Sequence, residues 1–188
     1  VPEEHGGSGL TFVDMVVVLE EMGRAVMPGP FFSTAILGGV ALLEGGSAAL
    51  KKELLPKLAE GNLRVTLAQL EPSGRWDTGG IQLESKQNGS GWTLSGTKLF
   101  VPDAHTADLL VVAARVPGAA GDEGVGLFLV DAKAKGVTTT LLKTMDQTRK
   151  LCEVSLKDVA VGREALVGQA GSGWAPLARV IDRATVGL

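Results

Sequence analysis

Leu94-Ser95-Gly96-Thr97-Lys98-Leu99-Phe100-Val101-Pro102-Asp103-Ala104 is an extended segment that runs into a Pro-Asp turn, and the apolar stretch Asp108-Leu109-Leu110-Val111-Val112-Ala113-Ala114-Arg115 follows closely. Upstream, Gln87-Asn88-Gly89-Ser90-Gly91 separates Ile81–Lys86 from Trp92-Thr93-Leu94. That is a hairpin signal with a mechanism, since Asn and Gly accept the positive φ of tight hairpin turns. Residues 64–70 (Arg64 to Leu70) read as a strand before it, and Val125–Val130, Val137–Leu142 and Leu151–Leu156 as strands after the apolar run, with Gly118–Gly121 as a loop. Several short strands separated by turns predict a closed or sandwiched antiparallel sheet.

Helices flank this region. From Thr11 the positions Phe12, Met15, Val16, Leu19 and Met22 recur at helical spacing, and Thr11 with Asp14 forms a capping-box start. An apolar helix is predicted over Ser33–Leu43, buried against other helices. A third, capped by Ser47, carries Leu50, Leu54, Leu55 and Leu58 on one side. After Gly171-Ser172-Gly173, residues Trp174, Leu177, Val180 and Ile181 return to helical spacing. The predicted class is α+β, with an N-terminal helical part over 1–62, a middle β-barrel or sandwich domain over 63–165, and the start of a C-terminal helical bundle over 166–188. Both ends of the chain read as cut.

The 188 residues are 45% hydrophobic with a net charge of -3, the composition of a globular chain. No apolar run approaches the roughly 18 residues of a membrane span, and no basic stripe marks a nucleic-acid partner. A cytoplasmic protein is expected. One cysteine, Cys152, excludes an internal disulfide framework and reads as a buried structural thiol.

No catalytic set stands out from residue types alone. His5 and His105 lack the spacing of metal ligands, and Gly6-Gly7-Ser8-Gly9 lacks the preceding strand that a phosphate loop requires. Trp76, Trp92 and Trp174 read first as core anchors. Gly38-Gly39 fits either a roomy cavity or close helix packing.

Taken together, Pro2–Leu10, Glu20–Arg24, Leu54–Gly61, Glu71-Pro72, Gly96-Thr97-Lys98, Lys143–Val161 and Gly168–Trp174 resemble the acyl-CoA dehydrogenase family in order and spacing. The resemblance implies FAD against the β domain and α,β-desaturation of an acyl-CoA thioester, with a base from the C-terminal helical domain, beyond Leu188. It implies cofactor contacts at Leu67, Gln69, Leu70, Phe100, Val101 and Pro102, a substrate contact at Trp76, and no metal. It also implies an electron-transferring flavoprotein as acceptor, a homo- or hetero-oligomer, and a place in fatty acid or sterol catabolism, with sterol side chains or aromatic-derived acids as acyl groups.

This chain departs from the family pattern on the flavin side. Leu70 stands where the family has a threonine, Arg75-Trp76 where it has Gly-Ser, and Phe100-Val101-Pro102 where it has Trp-Ile-Thr. Two side-chain donors are thereby lost. The alternative expectation is a non-catalytic scaffold subunit of a heteromeric dehydrogenase.

Overall fold

The computed structural model describes residues 1–188. The polypeptide begins with a short 3-10 turn, Glu3–His5, followed by helix α1, Phe12–Arg24. Asp14 fixes the start of α1 by accepting from the Thr11 backbone N–H at 2.8 Å and from its hydroxyl at 2.7 Å. A π-helical segment, Phe32–Gly38, runs directly into α2, Gly39–Gly45, and α3 spans Ala48–Ala59 with the Ser47 hydroxyl accepting from Leu50 N–H. The sequence predicts one regular helix over Ser33–Leu43. The structure widens its first half, where the Gly39 N–H reaches back five residues to the Thr34 carbonyl.

Seven strands form a single curled sheet: β1 Val65–Ala68, β2 Glu84–Asn88, β3 Gly91–Pro102, β4 Leu109–Arg115, β5 Val125–Asp131, β6 Val137–Leu141 and β7 Leu151–Gly162. The predicted hairpin closes with Asn88 opposite Gly91, and Gly89 takes φ 57° in the turn. The twelve-residue strands β3 and β7 pair antiparallel along most of their length and form the spine, with β6 on the outer edge of β7. Antiparallel pairing is not universal, because β1 runs parallel to β4, from Val65 opposite Leu109 to Ala68 opposite Val112. The connection between them contains the whole β2–β3 hairpin, long enough for the crossover that parallel neighbours require.

β1, β4 and β5 are buried on both faces, which explains why β4 has no polar alternation. Val65, Leu67, Val111, Ala113, Val125 and Leu127 face the helices, where they pack with Ile36, Leu42, Leu55 and Leu177. The alternate residues Ala68, Leu110, Val112, Ala114, Phe128 and Val130 face the inside of the curl, with Trp92, Val101, Cys152 and Val154. Trp92 meets Phe128 edge-on at 5.4 Å. Cys152 is fully buried there, and that burial pushes its thiol above the ordinary range.

The last helix, α4, Trp174–Gly187, returns to the N-terminal helices rather than to the sheet interior. Glu44 on α2 ties it down, accepting from Arg179 Nε at 2.5 Å and from Arg183. The Ser33–Leu43 region therefore packs between β1 on one side and α4 on the other, not among helices alone. No helix is long and apolar enough to cross a membrane.

Candidate functional site

A cleft of about 630 Å³ opens where the helical layer, the ends of β1 and β3 and the C-terminal half of α4 converge. Leu67, Gln69 and Leu70 form one wall, and Leu99, Phe100 and Pro102 an adjacent one. Met22, Phe32 and Leu37 enter from the N-terminal helices, Ile181 and Thr185 from α4, and Asp146, Thr148, Arg149 and Lys150 from the β6–β7 connection.

The irregularities of β3 explain how Phe100 reaches the cleft. The pairing with β7 slips between Lys98 and Val101, so both of these side chains are buried while Phe100, at φ 52°, is turned outward and half exposed. A bulge re-aims a side chain in this way. Asp103, at φ 53°, closes the strand in a conformation that Asp tolerates better than most residues.

The β1 wall is held by an ion pair beneath it. Lys98 is completely buried, and its Nζ donates to Glu71 at 2.6 Å and to the Gln69 carbonyl at 3.0 Å. Glu71 also accepts from the backbone N–H groups of Gln82 and Leu83 at 3.0 Å. The chain from Gln69 to Glu71 is thus fixed at both its carbonyl and its carboxylate, and the Leu99 N–H adds a bond to the Leu70 carbonyl at 2.8 Å. Desolvation lowers the Lys98 ammonium to about 8, against the opposing attraction of Glu71.

Across the cleft, the Ser33 hydroxyl lies 2.7 Å from Asp103 Oδ2 and 3.0 Å from the Pro30 carbonyl, clamping the π-helical segment to the tip of β3. Ser33→Ala leaves the partly buried Asp103 without this donor. We expect it to cost about 1–3 kcal/mol, read as a lower urea midpoint at unchanged slope. A midpoint equal to that of the parent rules the clamp out.

Of the residues predicted from sequence, Leu67, Gln69, Leu70, Phe100 and Pro102 all line the cleft. Val101 does not, since the bulge turns its side chain into the inside of the curl beside Cys152. Trp76 also lines the cleft and is 63% exposed, which corrects its reading as a core anchor. Within its loop Arg75 makes a two-pronged contact to Asp77, with Nη2 at 2.7 Å. Gly38 lines no part of the cleft and packs tightly on β1, which decides for close packing over a cavity at that position.

Sequence reasoning missed Met22, Phe32, Leu37, Leu99 and the Ser33–Asp103 clamp. Nothing in a single apolar position tells a core contact from a cleft wall. The outward turn of Phe100 had a signal only in the break of alternation around Lys98. No group of three or more His, Cys, Asp or Glu side chains is arranged to hold a metal.

Two domain descriptions match the sequence over most of its length. The N-terminal domain of acyl-CoA dehydrogenase covers residues 1–62, and the middle domain of acyl-CoA dehydrogenase covers residues 66–159. The chain belongs to the acyl-CoA dehydrogenase family. The family member acyl-CoA dehydrogenase FadE29 of Mycobacterium tuberculosis is 29% identical over 174 residues, covering 92% of this chain and 45% of that protein. Butyryl-CoA dehydrogenase from Megasphaera elsdenii superposes with a TM-score of 0.90 at 26% identity, over 98% of this chain and 50% of that one. The Tcur3481-Tcur3483 steroid ACAD gives a TM-score of 0.88 at 25% identity, over 99% and 48%. The chain spans about half the length of the acyl-CoA dehydrogenases it matches.

Proposed function

We propose that this chain supplies the helical and β-sheet walls of an FAD-dependent acyl-CoA dehydrogenase that introduces an α,β double bond into an acyl-CoA thioester. The observation that carries this reading is the cleft itself. Five of the seven residues named from the family resemblance as flavin or substrate contacts are brought together on its β-sheet walls, and Trp76 joins them from the loop after β1.

The residues present fit such a cofactor. Leu70, Leu99, Phe100 and Pro102 offer an apolar surface to a flat ring system, and Arg149 and Lys150 line the same space with positive charge suited to a diphosphate. The Gln69 Nε2 is buried without a hydrogen-bond partner. When bound, FAD supplies the acceptor for the hydrogen leaving the β carbon. This chain's part is to hold ring and acyl group face to face and to keep water out, which is where orientation and a dry site contribute to rate.

Neither carboxylate lining the cleft is set up to abstract the α proton. Asp103 is engaged by Ser33. Asp146 is held below the usual carboxylate range, first by the Thr148 hydroxyl and then by the Thr148 backbone N–H. The resemblance to the family implies a base from the C-terminal helical domain. The partners of this reading are an electron-transferring flavoprotein as acceptor and further subunits in a homo- or hetero-oligomer.

A second reading has its own support. Leu70 and Pro102 carry no side-chain donor, and Trp76 adds bulk at the cleft where the family has a serine, so the chain would serve as a scaffold subunit completing a partner's site. One experiment separates the two. The complete gene product, purified gently, is expected to show a flavin absorbance band near stoichiometry that bleaches when acyl-CoA is added. A colourless protein that takes up FAD only with a partner subunit overturns the catalytic reading and supports the scaffold.

A further inference from the structure

Gln69 presents an unusual combination for a cleft wall. It is only 7% exposed, and its side-chain Nε2 has no hydrogen-bond partner among the surrounding groups. Its backbone is immobilised, because the Gln69 carbonyl accepts from the buried Lys98 and the next two residues are fixed through the Leu70 carbonyl and the Glu71 carboxylate. Leu67 and Leu70, which share its cleft wall, and Leu99 on the adjacent wall carry no side-chain acceptor. A buried amide donor left unpaired is costly, and native chains seldom keep one without a use.

We infer that Gln69 is a ligand-directed hydrogen-bond donor of this cleft, and that it pairs with a carbonyl oxygen on the molecule bound there. This rests on the reading of the cleft as a flavin and acyl-CoA site. In the ligand-free structure Nε2 is the sealed atom of the amide, and rotation about the broad terminal torsion exchanges it with Oε1 and brings the donor to the cleft. Two sources offer the same chemistry: a ring carbonyl of the flavin, for which Gln69 stands in for the hydroxyls absent at Leu70 and Pro102, or an oxygen of the acyl group. In either case the residue sets specificity by leaving a buried donor unpaired when the wrong ligand binds.

Gln69→Met in the complete gene product removes the donor while keeping the length of the side chain. Because the parent amide is unpaired without ligand, the melting temperature of the ligand-free variant is expected to hold or rise. The affinity for one ligand is expected to fall at least fivefold. FAD binding to stripped protein is read by quenching of flavin fluorescence, and binding of butanoyl-CoA and 3-oxobutanoyl-CoA to FAD-loaded protein by calorimetry. A fall in FAD affinity assigns the acceptor to the flavin, and an unchanged FAD affinity with a fall for either acyl-CoA assigns it to the acyl group. Unchanged affinities throughout overturn the inference at any melting temperature while the functional reading stands, and a lower melting temperature beside them makes Gln69 structural. A parent protein that binds neither FAD nor either acyl-CoA overturns both. Gln69→Leu provides the same comparison if the methionine variant does not fold.

Discussion

Replacing Glu71 by Gln is expected to cost about 3–5 kcal/mol, because it strands the fully buried Lys98 ammonium without its counter-charge. In a chain of this size that lowers the melting temperature by roughly 6–20 °C. The geometry explains why the loss is large. Glu71 joins three segments: it accepts from Lys98 on β3 at 2.6 Å and from the Gln82 and Leu83 N–H groups before β2, while its own backbone continues the β1 wall of the cleft. Glutamine keeps the shape and one acceptor oxygen but loses the charge. Adding Lys98→Met to Glu71→Gln removes the stranded ammonium, so the double variant should be more stable than the sum of the single losses predicts, with the difference measured in a double-mutant cycle. A Glu71→Gln midpoint within error of the parent is incompatible with an ion pair that organises the wall.

The same pair gives the stability a pH dependence of defined sign. Burial lowers Lys98 to about 8 in the folded chain, whereas an unfolded lysine titrates near ~10.4. Between these values the unfolded chain binds more protons than the folded one, so this residue's contribution to stability rises with pH across that window and is flat below it. The comparison that isolates the effect is the pH dependence of the urea midpoint in the parent against Lys98→Met, between pH 7.5 and pH 10. The upward component should be present only in the parent.

How far the sequence reveals this architecture depends on which signals are local. The Asn88–Gly91 turn, the Thr11 and Ser47 helix starts and the apolar run of β4 are written in adjacent residues, and each element lies within a few positions of its predicted place. The parallel pairing of β1 with β4 is not local. It depends on the path of the forty intervening residues, and the apolar run of β4 marks burial on both faces without naming its neighbour or the direction of pairing. The π-helical widening of Phe32–Gly38 leaves no mark that distinguishes it from an ordinary apolar helix. The site shows the same division. Leu67, Gln69, Leu70, Phe100 and Pro102 were accessible through family resemblance, whereas Val101 lies one residue past a bulge and is carried inward, which only the pairing of β3 with β7 determines. Glu71 stands out in the sequence only as part of Glu71-Pro72, and its role as a buried counter-charge follows from Lys98 being sealed beneath the same wall.

Gly38→Ala is the second substitution expected to have a large effect, and it links the helical layer to the cleft. A Cβ at Gly38 would sit 2.4 Å from the Val65 carbonyl oxygen and 2.6 Å from its carbonyl carbon, so the π-helical segment and β1 must part. Backbone atoms on a strand buried on both faces cannot swing aside as a flexible side chain would. We expect an overpacking cost of about 1–3 kcal/mol after the helix-propensity gain of alanine is exceeded, or roughly 2–12 °C in melting temperature. Gly39→Ala is the control on the next residue, where the added Cβ meets the Thr34 carbonyl at 3.2 Å and the Leu58 side chain at 3.5 Å, and it should be close to neutral. The displacement also has a functional direction. Leu37 and Phe32 on the helical side and Leu67 on the strand side all line the cleft, so parting these layers widens it and should weaken FAD retention in Gly38→Ala but not in Gly39→Ala. Equal melting temperatures for the two variants would mean that β1 yields at Val65, and that the close approach at Gly38 does not set the width of the cleft.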